Sequence, residues 1–123
     1  VEEVVYTLDD HLQGKPNETK ILFDGLRERI FGLSGDGDII EKPNKIYISY
    51  KHGKNFCEVQ IQSTSLKMWL DIPYGELDDP NKIGRDVSKV GHHGTGTVET
   101  KLSSLSELDA VMYLMEQSYK QTV

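Results

Sequence analysis

Residues 45–73 contain three short segments in which apolar and polar side chains alternate with a period of two. Successive side chains of a β-strand point to opposite faces of a sheet, so each segment predicts a strand with one apolar face. Short polar connections at 52–55 and 63–65 join the segments in the manner of hairpins. The alternation therefore predicts an antiparallel meander whose apolar face carries Ile46, Ile48, Tyr50, Cys57, Val59, Ile61, Leu66, Met68, Leu70 and Ile72.

The opposite face of this predicted sheet has a mixed composition. Three aromatic side chains and three lysines stand there among amides, acids and a serine. A solvated sheet face rarely holds Trp, Tyr and Phe together, so we expect this face either to be covered or to bind a ligand. Its members are Lys45, Tyr47, Ser49, Lys51, Phe56, Glu58, Gln60, Gln62, Lys67, Trp69 and Asp71.

Helical patterns surround the meander. Thr7 predicts the cap of a short first helix, and an apolar stripe at 22–30 predicts a second helix. Pro80 stands at the first position of a predicted short third helix. Ser104 and Glu107 have the spacing of a capping box, which predicts the start of the last helix.

A fourth strand is predicted at 97–102, where apolar and charged residues alternate again. The resulting order, ααβββαβα, predicts an α+β fold with a largely antiparallel four-stranded sheet flanked by N- and C-terminal helices. We expect residues 6–123 to form this single domain. Because the first residue is Val rather than Met, residues 1–5 are expected to be a linker or lead-in from a longer parent chain, whose other domains would be partners.

The charge of the chain is unevenly distributed. The whole carries −6, whereas residues 44–74 hold four lysines and two acids. An acidic chain argues against nonspecific nucleic-acid binding, which depends on phosphate neutralisation, but a locally basic sheet is compatible with a small anionic ligand.

No apolar run is long enough for a membrane span or signal peptide. The single Cys57 fits a reducing compartment, so a cytoplasmic location is expected.

Residues 91–96 read Gly-His-His-Gly-Thr-Gly, the most unusual local run in the chain. Three glycines would allow a ligand to approach the backbone closely, and the alternative is a turn whose histidines bond to the backbone. Adjacent histidines of an extended chain point to opposite sides, and there is no second cysteine, so neither a metal nor a cofactor is expected. Cys57 lies on the apolar face of the predicted sheet, and this position predicts a buried, inert thiol.

A nuclease is one alternative, because the predicted order contains the αβββαβ order of restriction-type nucleases. Those enzymes place an acid on the second strand and an acid-x-Lys motif on the third, so that a metal ion and water meet at one edge. Glu58 fits the first acid, but Ser65 stands two residues before Lys67, where the motif requires an acid. The spacing Glu99-x-Lys101 fits only on the fourth strand, so an active nuclease is not the favoured interpretation.

Several motifs together resemble one family: Tyr6-Thr7-Leu8-Asp9-Asp10-His11-Leu12, Lys42-Pro43-x-Lys45-x-Tyr47, Gly53-Lys54-Asn55-Phe56, Gly75-Glu76-Leu77-Asp78-Asp79-Pro80, Arg85-Asp86-Val87-Ser88 and Gly91-His92-His93-Gly94-Thr95-Gly96. The resemblance spans residues 6–120 and is to an uncharacterised prokaryotic domain labelled "predicted transport protein". It implies a C-terminal domain of longer proteins, some of which have restriction-nuclease-like or other DNA-related N-terminal parts. It implies no established activity.

A fainter similarity links the chain to the YjbR/MmcQ-like proteins. It is carried by Lys54-Asn55-Phe56, Leu66-Lys67 and Gln117-Ser118-Tyr119. That similarity implies an antiparallel sheet flanked by helices and a double-wing arrangement for binding DNA.

The favoured function is a non-catalytic binding or accessory module of a larger prokaryotic protein. Its ligand would be nucleic acid, a small anionic metabolite or a partner domain, with no membrane partner. Aromatic rings stack on bases while lysines meet phosphates, which makes the mixed face the expected binding surface. The candidate binding residues are Tyr47, Lys51, Lys67 and Trp69, with Arg85, His92, His93 and Thr95 at the rim.

Two alternatives from other classes stay open. One is an enzyme, hydrolytic or nuclease-like, that uses His92 or His93 as acid or base beside Asp86 or Glu99; no residue is assigned as catalytic. The other is a structural domain in which helices cover the mixed face and the molecule docks or forms a homodimer.

Overall fold

A computed structural model of the protein describes residues 5–35, 37–89 and 96–123. Within these ranges the chain forms three α-helices and six β-strands. In chain order they are α1 (Leu8–Leu12), α2 (Asn17–Phe31), β1 (Ile40–Pro43), β2 (Ile48–His52), β3 (Lys54–Ile61), β4 (Leu66–Leu70), β5 (Arg85–Asp86), β6 (Val98–Leu102) and α3 (Leu108–Lys120). Short 3-10 turns stand at Tyr74–Glu76 and Leu105–Glu107.

The strands form one antiparallel sheet with the order β1-β2-β3-β4-β6-β5. The α+β class, the meander and the flanking helices are confirmed. The predicted number of four strands was too low, because two edge strands escaped the sequence pattern. Strand β1 has only four residues and ends in a proline, and β5 has only two residues. Neither is long enough for alternation to be visible.

Helices α2 and α3 pack on the apolar face of the sheet. Buried side chains of α2, such as Leu26 and Ile30, and of α3, such as Val111 and Met115, join the inward residues of the strands in one core. The predicted caps are present: Thr7 and Asp10 form a capping box before α1. Ser104 and Glu107 form another at the 3-10 turn that leads into α3.

A β-bulge lies where β2 faces β3. Tyr50 pairs with Cys57 and Lys51 pairs with Asn55, so Phe56 is the additional residue on β3. An additional residue interrupts the period of two. Strict alternation predicts Phe56 on the mixed face, but its buried ring packs edge-on against Tyr119 of α3, with 5.5 Å between ring centroids. Phe56 therefore belongs to the core beneath the helices.

The helix predicted after Pro80 does not form. The Asp79 carboxylate accepts hydrogen bonds from the backbone N–H groups of Ile83 and Gly84, at 3.0 and 2.7 Å. Such side-chain acceptors compete with the helical hydrogen bonds of the backbone. Lys82 adopts a left-handed conformation with φ 53°, which an α-helix does not accommodate. The segment is a loop that leads into β5.

Candidate functional site

One row of side chains crosses the mixed face of the sheet on all six strands. Each residue of the row is paired with the next one on the neighbouring strand. From β1 to β5 across the sheet, they are Lys42, Ser49, Glu58, Trp69, Glu99 and Arg85. In the middle of the row, Ser49, Glu58 and Trp69 are all buried. The ends, Lys42 and Arg85, are exposed. We call this set the buried row.

Glu99 is the centre of a polar cluster within the buried row. Its Oε1 accepts a hydrogen bond from the Trp69 indole N–H at 3.2 Å and lies 3.9 Å from Lys67 Nζ. Its Oε2 lies 3.6 Å from Arg85 Nη1. The structure thus brings together three of the residues predicted from the sequence, Lys67, Trp69 and Arg85, around a carboxylate that none of those predictions assigned to the binding surface.

Trp69 is only 2% exposed, so its ring offers no open surface for stacking. This corrects the role that the sequence suggested, in which an exposed indole would meet a base. Its neighbours on the two adjoining strands are Glu58 and Glu99. Helix α3 does not cover this face, since its buried residues belong to the core on the apolar side.

A cavity of about 270 Å³ lies on the same face where β1, β2 and β3 meet. It brings together two of the predicted residues, Tyr47 and Lys51, with several polar side chains that sequence reasoning did not select. None of the described residues that line it is acidic. Its lining consists of Ile40, Lys42, Asn44, Tyr47, Ser49, Lys51 and Asn55. We call it the lysine cavity.

A second row on this face is accessible to solvent. Gln60, Lys67 and Lys101 stand opposite one another on β3, β4 and β6. Gln60 and Lys67 are half-buried and Lys101 is exposed. Tyr47 immediately precedes β2 and Gln60 follows Val59, the partner of Ile48, so Tyr47 continues this open row toward the lysine cavity.

Lys42, Gln60 and Lys101 extend the candidate surface beyond the sequence prediction. The sequence pattern does not point to Lys42, because β1 is too short for alternation to predict it. A signal for Lys101 was present, because the predicted fourth strand placed Glu99 and Lys101 on one face, but the partner strand was not known. Only the register Lys67 to Lys101 reveals that two lysines meet.

His92, His93 and Thr95 lie outside the described residues, so the rim predicted from them has no structural description. Asp86, the acid proposed beside a histidine, is exposed and accepts hydrogen bonds from the Ser88 N–H and hydroxyl at 3.0 and 2.7 Å. These bonds, which favour the carboxylate, lower the pKa of Asp86 below its usual range. Such an acid is ionised and engaged locally, rather than poised to exchange protons.

Cys57 is fully buried, and burial raises the pKa of its thiol well above the ordinary value. Because the thiolate is the reactive species, we expect native protein to react with dithionitrobenzoate about 100-fold more slowly than protein in concentrated guanidinium chloride. Glutathione at the same pH serves as the control for reagent reactivity. Rapid reaction of the native protein would contradict the buried position.

Among residues 5–35, 37–89 and 96–123, no group of three or more His, Cys, Asp or Glu side chains is arranged to hold a metal ion. Within the same ranges, no helix combines the length and the apolar composition that crossing a membrane requires.

Comparison with known proteins places the domain in a family. The chain is 37% identical over 116 residues to an uncharacterised protein of Haemophilus influenzae, a match that covers 94% of this chain and 38% of that protein. The chain thus spans less than half the length of this relative. No solved structure matches the present chain. Residues 8–122 match the family described as Domain of unknown function (DUF5655), and the chain therefore belongs to that family.

Proposed function

We propose that this domain is a non-catalytic module that binds an anionic ligand in the lysine cavity, on behalf of a larger prokaryotic protein. The observation that carries the proposal is the lining of the cavity. Lys42 and Lys51 meet there with amide, hydroxyl and phenol groups, and no described lining residue is acidic. This local excess of cations contrasts with the net charge of −6 of the whole chain.

The polar groups of the cavity suit an anion with an attached planar or apolar part. Lysine ammonium groups bind phosphate or carboxylate as point charges, while the side-chain amide of Asn55 can donate to further oxygens. The Asn44 amide instead donates to Lys42 O and Ser49 Oγ, at 3.1 and 3.4 Å, and helps to shape the cavity wall. The Tyr47 ring and the exposed Ile40 side chain add an apolar wall. A few polar groups on a partly apolar concave surface are typical of ligand sites.

An accessory role in a longer chain is consistent with the comparisons. The H. influenzae relative is much longer than the match, so a domain of this kind occurs within a larger protein. No described side chains form a pair suited to proton transfer in the lysine cavity, whose titratable members are lysines and a tyrosine. We therefore favour binding over catalysis for this surface.

The test is an NMR titration of the 15N-labelled domain with two probes, inorganic pyrophosphate and dithymidylate. We expect shifts at Lys42, Tyr47 and Lys51, and affinity that decreases with salt by a logarithmic slope of about −0.7 per phosphate contact. The double variant Lys42→Gln/Lys51→Gln should bind at least about tenfold more weakly, because it removes both cations.

The matched control is Lys20→Gln/Lys120→Gln, which removes the same charge from exposed positions on α2 and α3. It should leave binding within about twofold of the unmodified domain. Equal losses in the two double variants would contradict a site in the cavity and indicate a general charge effect. Salt-independent binding, or no shift with either probe, would also overturn the proposal.

A further inference from the structure

Lys67 of β4 and Lys101 of β6 stand directly opposite each other on the mixed face. Like charges at directly opposed positions destabilise an antiparallel pair, so such a pair needs a counter-charge. Glu99 supplies only part of it, since its carboxylate lies 3.9 Å from Lys67 Nζ and also 3.6 Å from Arg85. Both separations are longer than those of a tight ion pair.

The balance of charge at this place is positive. Lys67 and Arg85 lie 3.9 and 3.6 Å from the Glu99 carboxylate, and Lys101 lies opposite Lys67 on the same face. These three cations outnumber the acids even when the buried Glu58 on the neighbouring strand is counted. Lys101 is exposed and the side chain of Lys67 is 30% exposed. An external anion can therefore reach both lysines.

We infer that Lys67 and Lys101 form a second anion-binding subsite, and that the ligand is a polyanion, single-stranded nucleic acid, lying along the open row. The inference rests on the proposed function of the lysine cavity and deepens it. The row runs from Tyr47 past Gln60 to Lys67 and Lys101, with accessible side chains throughout.

Distance excludes a single small anion as the ligand of both subsites. Strands in a sheet lie about 4.8 Å apart, so β2 and β6, three steps apart in this sheet, are separated by about 14 Å. A stacked strand rises about 3.4 Å along its axis per nucleotide, so about four stacked nucleotides span the row.

The open row also suits bases rather than phosphates alone. The half-buried Tyr47 ring can stack on a base, and the Gln60 amide can donate to and accept from base edges. Inorganic polyphosphate has the charge but nothing to stack. The same surface therefore distinguishes the two polyanions.

The experiment compares dithymidylate with octathymidylate, by NMR titration for the dimer and by fluorescence anisotropy for a fluorescein-labelled octamer. We expect the octamer to bind at least about tenfold more tightly, because it engages both subsites. The variant Lys67→Gln/Lys101→Gln should cancel that gain and reduce the salt slope by about 1.4, while binding of the dimer in the lysine cavity is unchanged. Polyphosphate of equal charge should compete at least about tenfold less well than unlabelled octamer, since it lacks bases.

This variant should fold, because removing a like-charge pair leaves stability equal or raises it, which thermal melting followed by circular dichroism verifies. Equal affinity for the two lengths, an unchanged salt slope, or loss matched by Lys20→Gln/Lys120→Gln would overturn the second subsite. Equal competition by polyphosphate would overturn nucleic acid as the ligand. Failure of the proposed function would look different, because dithymidylate would then cause no NMR shifts at the residues of the lysine cavity.

Discussion

Replacing Gly96 with alanine should destabilise the domain by about 3 kcal/mol, one of the two largest single-residue effects that we expect. A Cβ atom at Gly96 would lie 2.8 Å from Leu70 N, Leu70 O and Trp69 C. All three are backbone atoms of the central strand β4, which cannot rotate away as a flexible side chain can. Chemical denaturation and thermal melting measure the loss.

On the C-terminal side of Gly96, the chain is held against β4 and the residues that follow it. The Thr97 N–H donates to Leu70 O at 3.0 Å, and the Thr97 hydroxyl donates to Ile72 O at 2.7 Å. Moving the segment away from β4 would therefore break two hydrogen bonds as well. Because Trp69 and Glu99 lie on the two strands joined here, we also expect the variant to disturb the Glu99 cluster.

Gly75→Ala is the matched control for Gly96→Ala. It makes the same chemical change in the 3-10 turn Tyr74–Glu76, where an added Cβ would meet no atom within 4 Å. Its effect should be neutral, or stabilising by about 0.5 kcal/mol through the lower entropy of the unfolded chain. Equal stability of the two variants would contradict the close approach of Gly96 to β4.

The sequence predicted what depends on local pattern and missed what depends on register. Alternation at 45–73 identified three central strands, and the spacing Ser104 to Glu107 identified the start of the last helical segment. The meeting of Lys67 with Lys101 depends on which strands become neighbours, and no local pattern contains that information. The helix expected after Pro80 failed because a side chain, Asp79, captured the backbone N–H groups.

The candidate site shows the same division. The composition of the mixed face points to Tyr47 and Lys51, and both line the lysine cavity. Trp69 was selected for the same reason but is buried, because burial depends on position within the whole sheet rather than on the strand alone. The sequence pointed to Glu99 only as an acid, and the structure shows it as the contact shared by Lys67 and Trp69 of β4 and Arg85 of β5.

Phe56→Ala is the second change with a large expected effect and should cost about 3–5 kcal/mol of unfolding free energy. The ring is fully buried and makes an edge-on contact with Tyr119, so truncation leaves a cavity between β3 and α3. The Ser118 hydroxyl of α3 donates to Phe56 O at 2.6 Å, which holds the bulge against the helix and limits collapse around that cavity. Urea denaturation measures the change.

Two further variants test whether the loss of stability in Phe56→Ala comes from the buried position of the ring or from the loss of any aromatic ring. Phe56→Leu keeps most of the buried volume and should cost less than about 1.5 kcal/mol. Tyr74→Ala removes a ring that is 44% exposed and should change stability by no more than about 0.5 kcal/mol. If Phe56→Ala were as mild as Tyr74→Ala, the ring would not be buried against α3. A large loss is the result expected of a ring that the bulge directs into the core beside Tyr119.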